Sequence, residues 1–519
     1  MIATRLRVAG ALLAIALLRT ASLPAQAGPW VPIGSRLDGF ASWLVAEGGL
    51  RGIDPLTRPW RLAELRRAAA EQDSLALRPA GRRMLEWLQA ELARAADSSA
   101  LTAELGQALY RNGRRDSFRE GGASGTGTFA GVWASLTRGP FVAVLNPAIE
   151  NRLKDDPEFT GKTDRFVAGR LQIGYVAATG NVGDAFYGRM ARQWGPSLFQ
   201  GIQLSPSAYA QDQLTGTVRL GRFALTSLAQ RLDDQQIDSV SLDVPVSRYF
   251  FAHRLTIDAG RGVWIALTES GIYGGPGRGF EPAFHAPFGL AMLAQVNEQR
   301  NVNALWGVEM QAPLGRGVTF AAQGVIDDIQ LDNKTLTDQR PTSGGFTAVL
   351  SGLMPRVPGH WSLGYTRVGA LTYRNSFRVY EVYALQSVGL GRNFSDYDQV
   401  LLQLAVRPAL STNVALEASY LRQGSGDFRQ PFPSDSVLAQ PGQGFLVAPV
   451  QSGPAVRLVA EAEPFRGVLV NGEVGMNGAG SGSAKGIAAL AVRLRFDALA
   501  HRFGAAWGAI EGGDGRRWP

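Results

Sequence analysis

Residues 316–329 read RGVTFAAQGVIDDI. Val318, Phe320, Ala322, Gly324 and Ile326 alternate with Thr319, Ala321, Gln323, Val325 and Asp327, a period of two that belongs to a strand. The dyad returns in PAVRLVAEAE (454–463), where Val456, Leu458, Ala460 and Ala462 oppose Arg457, Val459, Glu461 and Glu463. It returns again in LAVRLRFD (490–497), with Val492, Leu494 and Phe496 against Arg493, Arg495 and Asp497. An apolar face backed by a charged one suits a soluble sandwich or propeller, or a membrane barrel with lipid outside and a polar lumen.

The connections separate the two. Alternation marks strands near 128–136, 139–148, 165–179, 181–192, 213–220, 222–231, 247–258, 262–272, 302–313, 316–327, 345–354, 361–373, 397–406, 410–422, 453–463, 467–477 and 486–497. Tight turns (TRG, GNV, the single Gly221, AGR, LG, PAL) alternate with long polar segments such as 193–212, 273–301, 374–396 and 423–452. Short turns on one side and long loops on the other are the pattern of outer-membrane barrels, with the short turns in the periplasm. The strand at 128–136 then runs inward and needs an outward predecessor, for which 108–119 is the available stretch. The expected fold is an all-β transmembrane barrel of about 18 antiparallel strands, an even number.

The region before the barrel is helical in period. Arg5 and Arg7, an apolar run from Val8 to Leu18 and Ala25-Gln26-Ala27 read as a signal peptide over 1–27, too short in its apolar run to span a membrane. Residues 28–105 are expected to form a small α-helical segment at the periplasmic end. RLDGFASWLVAEGG ends in a glycine pair, DPLTRPWRLAELRRAAA places Asp54 as a cap and Pro55 in a first turn, and RRMLEWLQAELARAA aligns Leu85, Leu88 and Leu92 beside Met84 and Trp87. Such a segment is marginal alone and must lean on the barrel for its burial. The barrel is placed at 106–497 and a tail at 498–519.

The chain has 519 residues, 63 Gly, no Cys and a net charge of +8. Without cysteine there is neither a disulfide framework nor a thiolate metal site. Its arginines are scattered singly, which suits a lumen or an acidic ligand and does not suit nucleic acid. Neither a metal nor a cofactor is expected.

With strand directions assigned, unusual residues converge on the long-loop mouth: Arg189, Arg192 and Trp194-Gly195-Pro196; Tyr209; Glu269, Tyr273 and Arg278; Asp327-Asp328; and the strand starts at Asn301, Asn303, Asp396 and Asp398. Each also has a plainer reading. Trp194 could belong to the interfacial aromatic girdle, Asp327-Asp328 could end a strand in water, and the arginines with Glu269 could form lumen ion pairs. GGPGRGF (274–280) lacks the Gly-Lys-Ser/Thr ending of a phosphate loop. Along 186–193, Tyr187, Arg189, Ala191 and Gln193 form the more polar face and are assigned to the lumen, with Phe186, Gly188, Met190 and Arg192 facing out. A barrel hydrolase needs a histidine set against a serine or carboxylate. Of His253, His285, His360 and His501, only His253 and His285 could serve, and neither carries such a motif. No catalytic activity is expected.

GRMARQWGP (188–196), HRLTIDAGRGVWIALTESGIYGG (253–275), NVNALWGVEM (301–310), QGVIDDIQLDN (323–333), TRVGALTY (366–373) and SDYD (395–398) together resemble the capsule assembly Wzi family of outer-membrane proteins. GLRGIDPLTRPWR resembles the helical segment preceding the barrel in that family. Gly364 stands where the resemblance calls for an acidic residue. The resemblance implies an 18-stranded lectin-like barrel that binds an anionic surface polysaccharide, capsular or exo-, and helps capsule assembly or attachment. Outer-membrane lipid and the barrel assembly machinery are the other expected partners. The competing expectation is a porin or uptake channel for small solutes or oligosaccharides, since one fold serves both.

Overall fold

The computed structural model describes residues 28–95, 99–111, 124–155, 159, 161–165, 168–208, 210–235, 245–286, 289–298, 301–328, 341–375, 378–478 and 484–497. The signal-peptide reading of 1–27, the tail at 498–519 and Tyr209 lie outside them.

Eighteen antiparallel strands close into one barrel. In chain order they are β1 Ser99–Arg111, β2 Gly125–Arg138, β3 Phe141–Glu150, β4 Ala168–Thr179, β5 Gly183–Arg189, β6 Asp212–Leu220, β7 Phe223–Arg231, β8 Val246–Gly260 and β9 Val263–Pro276. The second half is β10 Asn303–Gly315, β11 Val318–Asp328, β12 Ser343–Leu353, β13 Gly359–Val368, β14 Tyr397–Ala409, β15 Thr412–Gln423, β16 Gln451–Phe465, β17 Val468–Asn477 and β18 Lys485–Asp497. Each strand pairs with its sequence neighbours, and β1 closes the ring on β18 with Leu105 opposite Leu494. Closure leaves no unpaired edge, which a lipid environment demands of any sheet.

The faces follow the dyad. Leu105, Leu109, Val456, Leu458, Val492, Leu494 and Phe496 are exposed on the outside, and Thr319, Gln323, Arg493 and Arg495 are buried inside. No helix among the described residues is long and apolar enough to cross a membrane.

Three differences from the sequence expectation matter. The first strand begins at Ser99, so the helical region stops short of residue 105 and the barrel starts before 106. Leu101, Leu105 and Leu109 recur every four residues, a spacing that a helix and a strand share, and pairing with β2 and β18 decides between them. The second difference is at the ends of two strands. β5 stops at Arg189 and β13 at Val368, where the chain turns into the lumen instead of continuing outward. The third concerns β5 itself, whose faces are reversed from the polarity-based assignment. Phe186 points inward against Trp30 and Tyr175, with ring centroids 5.5 and 4.9 Å away, and Tyr187 points out, 62% exposed. Local polarity misled because the lumen here is filled with protein, so an inward aromatic ring is buried and an outward tyrosine sits at the membrane interface.

Three helices, α1 Arg36–Ala46, α2 Leu62–Glu71 and α3 Pro79–Arg94, sit inside the barrel at its tight-turn end. Helix α2 starts only at Leu62, with the Glu64 carboxylate accepting the Arg61 N–H at 3.4 Å, because Pro59 interrupts the stretch after Asp54; Asp54 instead receives the Leu56 N–H at 2.8 Å. The shared core of Leu37, Phe40, Leu44, Leu65, Met84 and Leu88 extends onto Leu353, Ala405 and Ala415 of the barrel wall. Arg36–Glu463 at 3.0 Å, Arg61–Asp184 at 2.6 Å and the Thr319 hydroxyl donating to the Ala46 carbonyl at 2.8 Å tie it to several strands. Arg407 lies over the rings of Phe40 and Trp43 at 4.6 and 4.9 Å. The insert thus obtains from the wall the burial it lacks alone.

Candidate functional site: a polar cleft beside the lumen plug

From the long-loop end, segments 190–208, 369–375 and 378–396 fold down into the barrel and meet the helical insert. Thr57 and Arg58 pair antiparallel with Trp194 and Gln193, and the Gly195 N–H donates to the Leu56 carbonyl at 2.9 Å. One wall of the barrel grips this plug. Arg254 on β8 and Glu309 on β10, both wholly buried, form a two-pronged pair at 2.5 and 2.7 Å. Arg254 also donates to the Leu56 carbonyl at 3.1 Å and lies 5.1 Å over the Trp194 ring. Gln323 on β11 donates to Glu309 and to the Trp194 carbonyl, and accepts the Ile202 N–H at 2.5 Å. Gln203 donates to the Ser270 hydroxyl at 2.7 Å, and the hydroxyls of Tyr373 and Tyr383 donate to the Ile202 and Gln203 carbonyls.

Gly364 fits here. A Cβ built at Gly364 would lie 2.2 Å from the Phe199 ring, so the position keeps no side chain because the plug occupies that space. An acidic residue at 364 requires a different path for 197–203.

The residues singled out in the sequence mostly lie within this packing. Trp194 is 1% exposed, in neither girdle nor open rim. Arg192 is buried, donates to Gln213 at 2.6 Å and stands 4.9 Å over Phe186; burial lowers its guanidinium to about 10. Arg189 faces outward and pairs with Asp212 at 3.0 Å. Glu269 accepts the first N–H of the loop helix Ala291–Glu298 at 2.9 Å and lies 3.8 Å from His253. Tyr273 is buried, bonds His285 through its hydroxyl at 2.9 Å and lies under Arg278, 4.8 Å away. Burial, with a contribution from His253, lowers His285 to about 4, so it is the neutral ring that bonds Tyr273. Asp327 accepts the Tyr373 N–H at 2.6 Å. Asp328 ends β11. Asp398 is held by Arg422 at 2.9 Å and Tyr365 at 3.0 Å, Asp396 by the Gly426 N–H at 2.8 Å, and Asn303 by the Glu381 carbonyl at 2.8 Å. Glu269, Tyr273 and Arg278 share one loop cluster, Trp194 is part of the plug, and Asp327 meets it. Arg189 stays apart from both.

Glu381 sits at the centre of the loop cluster. Its side chain is fully buried beside Arg278 at 3.4 Å, Arg378 at 3.6 Å and the Asn375 amide at 3.0 Å. Burial outweighs both arginines and raises its carboxyl to about 7. A carboxyl whose folded value exceeds its unfolded value stabilises the fold most fully below about 4.5, and the contribution is lost as pH rises through about 7. Thermal unfolding should therefore show stability falling across that window, by at most about 3 kcal/mol. Glu381→Gln should remove the slope; an unchanged slope in the variant would assign it to another group.

Further round the barrel from the gripping wall, β14–β17 stand off from the plug and leave a cleft of about 260 Å³. Gln399 and Gln403 from β14, Glu417 and Ser419 from β15, Arg457 from β16 and Asn477 from β17 line one side. Arg58 from the insert, Gln193, Phe199, Gln200, Arg392, Asn393 and Phe394 from the plug, and Tyr397 at the start of β14 line the other. Three arginines face a single carboxylate. Arg457 is paired with Glu417 and, at 3.2 Å, with Glu473, and Arg58 with Asp38 at 3.0 Å. The Arg392 side chain makes one long bond, to the Thr366 hydroxyl at 3.3 Å. Donor-rich amides, an underused guanidinium and aromatic edges can bind hydroxyls and a carboxylate on a pyranose chain. Below it a second cavity of about 260 Å³ shares Ile33, Arg58, Leu198, Gln403 and Glu417 with the first, and its lining balances Arg36, Arg58 and Arg407 against Asp38, Glu417 and Glu461.

Sequence reasoning missed this cleft. Strand parity alone puts Gln399, Gln403, Glu417, Ser419, Arg457 and Asn477 in the lumen, but only the seating of the plug leaves that wall open.

No protein-family model and no curated protein matches the sequence. Among solved structures, the fold is similar to Wzi from Escherichia coli, described as an outer-membrane carbohydrate-binding β-barrel involved in group 1 capsule assembly. The TM-score is 0.66 at 13% identity over 91% of this chain and 100% of that one. The outer membrane protein OprD of Pseudomonas aeruginosa (TM-score 0.41, 10% identity, 78% of this chain and 95% of that) and OccAB3 of Acinetobacter baumannii (0.42, 10%, 77% and 99%) also align. At this identity the likeness to Wzi is one of fold: this chain is a closed 18-stranded barrel of the architecture that Wzi also has.

Proposed function

We propose that this chain is a non-catalytic outer-membrane barrel that binds an anionic surface polysaccharide, capsular or exo-, and helps capsule assembly or attachment. In this reading the long loops face outward, the helical insert faces the periplasm, and the cleft beside the plug grips a segment of the glycan. The observation that carries it is the cleft's lining, in which amide side chains and aromatic edges surround the Arg392 guanidinium, held by one long bond, while Arg58 and Arg457 are paired with carboxylates. The catalytic alternative has the 3.8 Å approach of His253 to Glu269 on its side, but Glu269 also accepts the Ala291 N–H, and the neighbouring Ser270 is bonded to Gln203 and Tyr383.

Arg392→Gln should weaken binding of the host's own anionic polysaccharide roughly tenfold or more, as expected for one charge-assisted bond, while leaving the unfolding midpoint nearly unchanged. Calorimetric titration of both proteins tests this. Equal affinities would remove the cleft as the binding site, and absence of binding in the wild type would remove the reading itself.

The uptake-channel reading has one observation in its favour, the two cavities stacked along β14–β17 with only a shared layer of side chains between them. Steady open conductance in planar bilayers would favour it over a binding barrel.

A further inference from the structure

The tight turns carry a feature that the carbohydrate reading does not use. Arg138, Arg222, Arg261, Arg316, Arg356 and Arg466 occur in or directly beside six different tight turns, and all six are exposed. They come from β2–β3, β6–β7, β8–β9, β10–β11, β12–β13 and β16–β17, so the charges are spread around the barrel rim. Among the ion pairs of the described residues, only Arg466 meets a carboxylate, Asp497, at 3.8 Å.

Two of these arginines stand where a side chain is disfavoured. Gly260 pairs with Val263 and Gly315 with Val318, leaving the two-residue turns Arg261-Gly262 and Arg316-Gly317. Arg261 and Arg316 have φ of 56° and 53°, followed by glycines at 80° and 66°. Both central residues of such a turn need positive φ, which Asn, Asp or Gly adopts with less strain than Arg. A turn requirement alone does not explain arginine there.

Apolar side chains lie beside the cations. Phe141 is close to Arg138, Phe223 follows Arg222, Leu314 lies two before Arg316, Val357 follows Arg356, and Phe465, 74% exposed, precedes Arg466. An apolar side chain for the acyl boundary next to a guanidinium one step further out is the arrangement that places a cation at the level of lipid phosphates. Guanidinium groups also bind phosphate through two parallel donors.

We infer that this arginine rim is a binding surface for anionic phospholipid headgroups in the leaflet bordering the tight-turn end. The headgroup phosphates satisfy the exposed guanidiniums, and the flanking apolar residues enter the acyl boundary. The surface rests on the membrane-spanning fold and is independent of polysaccharide binding at the opposite end.

The test places the full chain in nanodiscs of phosphatidylcholine with or without phosphatidylglycerol, at low and at molar salt. The companion variant carries Arg261→Asn and Arg316→Asn, which suit positive φ, with Arg138→Gln, Arg222→Gln, Arg356→Gln and Arg466→Gln. For the wild type at low salt, phosphatidylglycerol should raise the unfolding midpoint by at least ~2–4 °C, and salt should abolish the shift. Native mass spectrometry should show phosphatidylglycerol enriched on the wild type, with retention falling by about fivefold for each cation lost. The inference is overturned if the wild type shows no preference for phosphatidylglycerol, or if the variant keeps the same preference. Should the sixfold variant not fold, the six matching Arg→Lys changes provide the comparison. They must retain the salt-sensitive preference, and losing it while folded would count against a charge-based surface. Polysaccharide titration of the same samples should be unchanged, so failure here leaves the carbohydrate reading standing.

Discussion

Glu309→Gln is expected to destabilise the protein by about 3–5 kcal/mol, because it leaves the Arg254 guanidinium buried without its counter-charge. Both side chains are wholly inaccessible, and the pair is the point where β8, β10, the insert and the plug meet. Removing the carboxylate also takes an acceptor from Gln323, which holds the Trp194 carbonyl and the Ile202 N–H. Unfolding midpoints in detergent and protease cleavage within 193–208 would report the loss together. The double change Arg254→Met with Glu309→Leu should cost less than Glu309→Gln alone, since no lone charge remains. A single variant within about 1 kcal/mol of wild type would mean that water reaches this pair.

Trp194→Ala separates the two roles that the sequence left open for this residue from the buried one that the structure assigns it. A girdle tryptophan would be replaced at little cost to a barrel anchored by many other side chains. A glycan-stacking tryptophan on an open rim would lose binding and keep its stability. Buried between Arg254, Gln323 and the insert, Trp194 should instead cost about 3–5 kcal/mol, as large-to-small changes in a packed core do. The cavity left behind lies on the seam between insert and plug, so conductance in planar bilayers should also rise relative to wild type. A stable, non-conducting variant with weakened polysaccharide binding would return Trp194 to a ligand-facing role.

The barrel was legible because its cause is local. Strand alternation depends on which of two faces a residue takes, and a membrane barrel imposes the same two faces on every strand. Strands β2 to β18 accordingly fall where the alternation in RGVTFAAQGVIDDI and its counterparts puts them, within a few residues at each end. β1 was read late because leucines four apart serve helix and strand equally. The ends of β5 and β13 were read too long, to 192 and 373, because nothing local marks where the chain leaves the wall for the lumen; the strands end at Arg189 and Val368.

The site was less legible, for a different physical reason. Arg192, Trp194, Glu269, Tyr273, Arg278 and Asp327 were correctly picked out as unusual, yet unusual polar and aromatic residues on inward-folding loops are also what hold such loops together. Gly364 behaves likewise, since its missing side chain is intelligible only with the Phe199 ring beside it.

The sequence by itself determined the repeating two-faced strand, the even barrel, the alternation of short and long connections and the presence of a helical segment before it. These depend on hydrophobic periodicity and turn chemistry within a few residues. Only the tertiary structure decided that the lumen is filled, that the plug is fastened to β8–β11 through Arg254, Glu309 and Gln323, and that β14–β17 are left lining a polar cleft. Those outcomes depend on contacts between segments far apart in the chain, such as Leu56 with Arg254 and Trp194 with Gln323. No local period encodes which side of a barrel a plug will rest against.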